Sequence, residues 1–454
     1  VLFSANRHKN WELETIESDL FLVDTKSLEL TQVTNDPGAE SAGRFSPDGG
    51  SIVYISEENK PLAYRHRRLK VLSLEESTVQ VLLGEADFSV SSALWSDAGR
   101  TISFQYDQKG RRKIGSVDLR NRFKEISDQV GGTSLGRPYL SGGFHYSNGT
   151  YAFSLADEGM PAELGVIQGG SSRKMTSLNE DVLGHKTLAK VTPVTYLSSL
   201  DNQVIHGWYL TPPDFDPTQK YPLILEIHGG PHSAYGNFFS AELQLLAAQG
   251  YIVFYDNYRG STSYGAKFAS LLQYKYASRD DFTDHMSGID EMVKLGFVDE
   301  NNLFVAGGSA GGIGAAFAIG LTNRFNAAVA AKPVINWISK TLTADSSVYQ
   351  IRHQFPGMPW QHLDHYWSRS PLSQMASITT PTMILTGELD RRTPISESEQ
   401  FYQALKLKGV DSVMVRLPDS SHGIAARPSR LIAKVDYILA WFERYRKSAP
   451  GLPD

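Results

Sequence analysis

A serine set between a buried strand and a helix of small residues constrains this chain more than any other feature. Gly307-Gly308-Ser309-Ala310-Gly311 reads Gly-x-Ser-x-Gly. The preceding Leu303-Phe304-Val305-Ala306 suits a buried parallel strand, and the following Gly311-Gly312-Ile313-Gly314-Ala315-Ala316-Phe317-Ala318-Ile319 suits a helix packed tightly on a sheet. Strand, sharp turn and helix is the context of a nucleophile elbow, where a strained backbone demands small neighbours on both sides of the serine. The helix also aims its N-terminus at the site, where it stabilises developing negative charge. The competing reading is a glycine-rich turn with an ordinary serine, and the flanks weigh against it.

The chain has 454 residues, more than one ordinary core holds, and its two halves follow different rules. Residues 1–185 read as all-β, with short apolar runs such as Ser51-Ile52-Val53-Tyr54-Ile55 and Thr101-Ile102-Ser103-Phe104 between polar turns. A motif recurs there at a spacing of about 50 residues: Phe45-Ser46-Pro47-Asp48-Gly49, Trp95-Ser96-Asp97-Ala98-Gly99 and Tyr146-Ser147-Asn148-Gly149. An aromatic, a serine and a turn at that period fit one β-propeller blade per repeat, and a β-sandwich is the alternative. The region holds about three to four such blades, at the low end for a closed propeller, so the chain is expected to open inside a larger one. Residues 186–454 alternate strand-like and helical runs, closing with an amphipathic helix from about Ser429 to Tyr445. That alternation predicts a mostly parallel, doubly wound sheet with its site at the carboxyl ends of the strands.

Serine is a poor nucleophile without a base, and the base needs an orienting acid. In an α/β hydrolase these follow in the order serine, acid, histidine. The run Thr382–Thr386 leads into Gly387-Glu388-Leu389-Asp390-Arg391-Arg392-Thr393-Pro394, where Asp390 lies deep enough in the loop to reach back and Glu388 suits the turn. The run Ser412–Leu417 leads into Pro418-Asp419-Ser420-Ser421-His422-Gly423, which makes His422 the base. His353, His362 and His365 lie in a polar insertion and read as exposed loop histidines, with spacing too irregular for a catalytic metal. After Leu223–Ile227 comes His228-Gly229-Gly230-Pro231, a loop that supplies a backbone N–H from Gly229 or Gly230 to an oxyanion, with the Ala310 N–H as second donor. His228 is expected to hold this loop rather than carry protons.

These stretches, with Asn257-Tyr258-Arg259-Gly260-Ser261-Thr262-Ser263-Tyr264-Gly265 and Ser370-Pro371-Leu372, resemble the prolyl oligopeptidase family of serine peptidases, nearest its acylaminoacyl-peptidase and dipeptidyl-peptidase-like bacterial branch. The likeness covers the whole C-terminal half. The N-terminal stretch from Phe3-Ser4-Ala5-Asn6-Arg7 to Leu22-Val23-Asp24 resembles a mid-propeller blade. The resemblance implies a Ser309–Asp390–His422 triad, an oxyanion hole from Gly230 and Ala310, and cleavage of short peptides admitted by size past the propeller. Ala310 stands where tyrosine is frequent in the family, which leaves the backbone donor intact and changes the packing. By the same resemblance the insertion from Asn336 to Trp367 walls an aromatic S1 pocket, with Trp337, Tyr349, Phe355, Trp360 and Trp367 as candidates. Glu12 and Glu14 are candidates for holding a substrate amine, against a solvated strand edge. Arg65, Arg67 and Arg68 are candidates for holding a carboxylate in carboxypeptidase action. An esterase or amidase on the same triad, and a propeller binding protein with a vestigial hydrolase domain, are the competing functions.

Composition narrows the partners. Lys+Arg 44 against Asp+Glu 49 gives a net charge of −5, with no electrostatic case for nucleic acid. The absence of cysteine excludes disulfides, thiolate metal sites and a cysteine nucleophile. No apolar run approaches membrane-spanning length, and no cofactor or metal is expected. Peptide substrates are the expected partners; homo-oligomerisation and a cytoplasmic or exported location stay open, since the chain begins at Val1 without a visible signal peptide.

Overall fold

The computed structural model describes residues 1–447. In the N-terminal half, Ser51–Glu58 and Thr101–Gln108 are buried on both faces, so their apolar residues run on rather than alternate. Each is the second strand of an antiparallel sheet. Gly38–Phe45, Ser51–Glu58, Arg67–Ser73 and Val79–Leu82 form a four-stranded sheet, preceded by a three-stranded one over Leu2–Gln32. The strands from Val90 to Lys174 form an eight-stranded sheet whose two halves join where Val130 pairs with Leu155. These are the blades of a propeller. The repeated serine has a structural task. Ser46 Oγ accepts from the Ser51 N–H at 2.9 Å and donates to Asp48 at 2.6 Å, and Ser96 Oγ accepts from Thr101 N–H at 3.1 Å, closing the turn between first and second strands. Val53, Leu69, Val90, Ile102, Phe104 and Tyr106 form one apolar cluster shared by successive sheets.

The chain divides into two compact units, and the division is not a single cut. Val1–Ser134, Tyr139–His185 and Thr262–Ser270 make the first, and Leu135–Pro138, Lys186–Ser261 and the chain from Leu271 make the second. Thr262–Ser270 joins the first unit through the Lys109 N–H to the Ser263 carbonyl (2.7 Å) and the Ala266 N–H to Asp87 (2.9 Å). Leu135–Pro138 joins the second through bonds from the Ala241 and Gly236 N–H groups to the Leu135 and Pro138 carbonyls.

The second unit carries an eight-stranded sheet in the order Lys190–Leu197, Val204–Thr211, Ile252–Asn257, Tyr221–Ile227, Val298–Gly308, Ala327–Ala331, Thr382–Gly387 and Ser412–Leu417. The first two strands are antiparallel and the rest pair in parallel. Val298–Gly308 lies near the middle, fully buried from Asn302 onward. Helix Ala310–Leu321 follows it and is buried along nearly its whole length. The helix can approach so closely only because Gly311 and Gly312 in its first turn lack side chains: a Cβ on Gly311 would stand 1.9 Å from the Ile227 carbonyl oxygen, and one on Gly312 2.4 Å from that of Ala331. No helix among the described residues is long and apolar enough to cross a membrane.

Candidate active site

Five strands of this sheet deliver residues to one edge. Gly308 leads into Ser309, Ile227 into His228, Ala331 into Lys332, Gly387 into the loop of Asp390, and Leu417 into the loop of His422. Ser309 caps the buried helix with φ 61° and ψ −124°, a conformation that costs a non-glycine residue of order 1–3 kcal/mol and thrusts the side chain out of the turn. Its N–H donates to the Ala331 carbonyl at 3.0 Å, so the strained residue is held by the neighbouring strand.

His422 Nε2 lies 3.0 Å from Ser309 Oγ, and His422 Nδ1 lies 2.7 Å from Asp390 Oδ2. The Asp390 carboxylate is buried and cannot donate, so Nδ1 carries the proton and Nε2 is left to accept from the serine. Burial opposes ionisation of Asp390. The bond to His422, its cationic character and the bonds from Thr393 N–H (2.9 Å) and Thr393 Oγ1 (3.0 Å) outweigh it and hold the carboxyl below its ordinary range. The imidazole of His422 moves down from its ordinary value: burial is the main cause, the nearby Lys332 and Arg392 cations add to it, and Asp390 pulls the other way. Glu388, the rival acid, faces outward and pairs with Arg416 at 3.1 Å.

His228 is fully buried, its Nδ1–H 2.7 Å from the Gly229 carbonyl and its Nε2 2.8 Å from the Ser261 hydroxyl. Burial pushes it down to about 4, so it stays neutral and braces the loop. Gly230 needs to be glycine: its φ is +126°, and a Cβ would stand 2.8 Å from the His232 nitrogen. Ala310 is buried at the start of the helix, and its carbonyl accepts from the Tyr276 hydroxyl. Its own N–H is one of those a helix leaves unpaired at its first turn.

Residues 237–449 match the prolyl oligopeptidase family. The match covers most of the α/β domain and just under half of the chain. The uncharacterized peptidase YuxL of Bacillus subtilis is 36% identical over 296 residues, which cover 64% of this chain and 45% of YuxL. Dipeptidyl-peptidase 5 of Porphyromonas gingivalis is 25% identical over 424 residues, covering 90% of this chain and 60% of the relative. The chain thus spans roughly half of the length of these relatives. Acylaminoacyl peptidase of Pyrococcus horikoshii shares the fold, with a TM-score of 0.84 at 22% identity over 97% of this chain and 68% of that one.

Some residues expected to line a substrate site are packed into the core. Trp337 is buried with its ring 5.2 Å from Phe355, and Phe355 stacks on Tyr366 at 3.9 Å; these rings are the core of the insertion. Tyr349 is half-buried against His353, while Trp360 is 69% exposed. His353 corrects the expectation of exposed loop histidines. It is buried because Gln350–Gln354 winds into a π-helical turn whose His353 carbonyl accepts from Gln273 at 3.0 Å. Glu12 and Glu14 lie in turns of the first unit rather than on a strand edge, Glu12 exposed and Glu14 half-buried with its carbonyl accepting from Asn6 at 2.8 Å. Arg65 is committed to Glu57 at 2.6 Å and Arg68 to the Ala86 carbonyl at 2.6 Å; Arg67 is exposed.

Two residues that sequence reasoning passed over stand beside the elbow. Arg137, from the inserted Leu135–Pro138 segment, lies so near that a Cβ on Gly308 would meet its Nη1 at 2.6 Å. It pairs with buried Glu226 at 2.7 Å and Glu242 at 3.3 Å, and Lys434 pairs with Glu242 at 2.5 Å. Lys332 donates from Nζ to the His422 carbonyl at 2.7 Å. The one signal for Lys332 was a cation interrupting the apolar run Ala327–Ala331; Arg137 gave none.

Proposed function

We propose that this chain is a serine peptidase that hydrolyses short peptides through an acyl-enzyme, of acylaminoacyl or dipeptidyl type. Ser309 is the nucleophile, His422 the general base and then acid, and Asp390 the group that fixes the imidazole tautomer and stabilises its cation. The observation that carries this is the continuous chain of contacts, 3.0 Å from Ser309 Oγ to His422 Nε2 and 2.7 Å from His422 Nδ1 to Asp390. His422 takes the serine proton as Oγ attacks the scissile carbonyl. The oxyanion is received by backbone N–H groups of Ala310 and of the Gly229-Gly230 loop, at the N-terminus of the buried helix. His422 then passes the proton to the leaving amine, and water repeats the sequence on the ester. One oxyanion donor contributes about 3 kcal/mol to the transition state, and general acid–base transfer roughly 10²–10⁴ in rate.

Ser309→Ala is expected to abolish both labelling by a fluorophosphonate and hydrolysis of peptide p-nitroanilides. Labelling that survives the substitution would sink the assignment. Turnover of p-nitrophenyl esters with no cleavage anywhere in a peptide library, read by mass spectrometry, would move the function to an esterase on the same residues. The library also separates release of acyl-amino acids, dipeptides and C-terminal residues.

A further inference from the structure

Lys332 is an unusual residue to find at the end of a buried strand. It follows Ala327–Ala331 directly and takes φ +43°, the left-handed region that a side chain disfavours. Its own N–H donates to the Leu385 carbonyl at 2.6 Å, so strands on either side of the turn fix the backbone. The side chain then runs beside the elbow, with Cε 3.4 Å from where a Cβ on Gly308 would be. It ends on the His422 carbonyl, 2.7 Å away. A strained lysine that reaches across the strand ends to the backbone of one histidine asks for a reason beyond packing.

We infer that Lys332 is a positioning residue for the base: its Nζ pins the carbonyl of His422, so that the imidazole stays between Asp390 and Ser309. This rests on His422 acting as in the reading above. The loop Pro418–Gly423 carries no helix or strand of its own to hold the histidine, and Asp390 restrains only the ring. Lys332 restrains the main chain. The second effect is electrostatic. The charged groups facing Lys332 are Arg137, Lys434, Asp390 and Glu242; those facing His422 are Asp390, Lys332 and Arg392. Burial, with the Arg137 and Lys434 cations, brings the Lys332 ammonium down to about 7, against the pull of Asp390 and Glu242. Where it is charged, below that value, it disfavours a second proton on His422 and keeps the base free in mildly acid solution.

The test uses the full chain with Lys332→Gly, which accepts the left-handed backbone without strain, and with Lys332→Arg, which restores a cation. Ring-proton NMR titration, with the His422 signal assigned by its loss in His422→Gln, reads the base whether or not any substrate turns over. In Lys332→Gly the His422 titration moves to higher pH, and the rate of fluorophosphonate labelling at pH 6 falls by about tenfold or more, as expected for a misplaced catalytic group. Lys332→Arg returns the titration towards wild type. A Lys332→Gly protein whose His422 titrates as in wild type and which labels at the wild-type rate overturns the inference. Failure of the wild-type chain to label at Ser309 overturns the peptidase reading instead, and the titration still decides the part played by Lys332.

Discussion

Two histidine–aspartate pairs lie in the same α/β domain, and only one ends on a serine. His422 Nδ1 is 2.7 Å from Asp390 and its Nε2 3.0 Å from Ser309. His285 Nδ1 is 3.0 Å from Asp256, which also accepts from the Tyr196 hydroxyl at 2.7 Å, and the His285 Nε2 is buried with no hydrogen-bond partner among the described residues. The first ring stands on a loop at the strand ends with its side chain 30% exposed; the second sits inside helix Arg279–Lys294, its side chain 3% exposed. Burial disfavours charge on both. Around His285 the carboxylates of Asp256, Asp281 and Asp284 together overcome it and raise the imidazole above its ordinary value. Around His422 a single carboxylate faces two cations, and the imidazole stays lowered. A histidine–aspartate pair is therefore a brace by default. The pair proposed as the base differs in that its far nitrogen meets a hydroxyl held out by a strained turn and neighbouring cations disfavour charge on the ring.

The largest effect separates the two pairs. Asp390→Asn removes the control of tautomer and is expected to lower kcat by roughly 10⁴ with the unfolding midpoint little changed. Asp256→Asn is expected to do the reverse: the acceptor shared by His285 and Tyr196 is weakened in the core, lowering stability by about 1–3 kcal/mol while kcat stays within a few-fold. Steady-state kinetics and thermal unfolding on both variants decide it; equal loss of activity in the two would erase the distinction.

A third buried charge group contains no histidine and carries more stability. Glu226 and Glu242 are 0% and 1% exposed, and Arg137 is the cation paired with Glu226. Arg137→Met leaves that carboxylate without its partner and is expected to cost about 3–5 kcal/mol, measured by denaturant unfolding. Since Arg137 comes from residues 135–138, a fragment starting at residue 186 should fail to unfold cooperatively; a cooperative transition in that fragment would show that Glu226 does not need Arg137.

Which parts of this were legible in the sequence follows from the range of the forces involved. Ser309, Asp390 and His422 each follow an apolar run by a few residues, and a parallel sheet brings such positions to one edge whatever the side chains between them. Ser46 and Ser96 were legible for the same reason: they act on residues five positions away. Lys332, Arg137 and His285 act across the fold, on His422, Glu226 and Asp256, and no local pattern records a partner about 30 to 90 residues distant. Thr262–Ser270 escaped because its bonds run to Lys109 and Asp87 in the other half of the sequence. His353 misled because polar neighbours suggest solvent, whereas in the fold it is buried, with its carbonyl bonded by Gln273 and its ring against Tyr349.

The opposite shifts of the two histidines give opposite pH signatures. In the proposed mechanism His422 is the neutral base, and with its value lowered the acid limb of kcat/KM is expected below the ordinary histidine value of about 6.5. His285 is raised in the folded state, so its contribution to stability is complete below about 6.5 and is lost as pH rises through the folded value. Activity should therefore grow below about 6.5, and this part of the stability should decline only above it. Unfolding free energies of wild type and His285→Phe measured from pH 5 to 8 test the second half. A difference between them that does not shrink as pH rises would show that the carboxylates around His285 do not favour its charged form.

The smallest expected effect falls two residues from one of the largest. Glu388 and Asp390 share a loop, and each faces a basic partner, Arg416 at 3.1 Å and His422 at 2.7 Å. Glu388 and Arg416 are 38% and 51% exposed, so water screens their attraction and both long side chains lose freedom in meeting. Such pairs contribute less than about 1 kcal/mol. Asp390 is wholly buried and receives bonds from Thr393 as well as His422, so its charge is fixed in direction and poorly screened. Glu388→Gln is expected to leave kcat unchanged and the unfolding midpoint within about 2 °C, a shift matching that small free energy in a chain of this size. A large loss of activity in Glu388→Gln, beside a mild one in Asp390→Asn, would transfer the orienting role to Glu388 and require the loop to turn over before His422 can act as base.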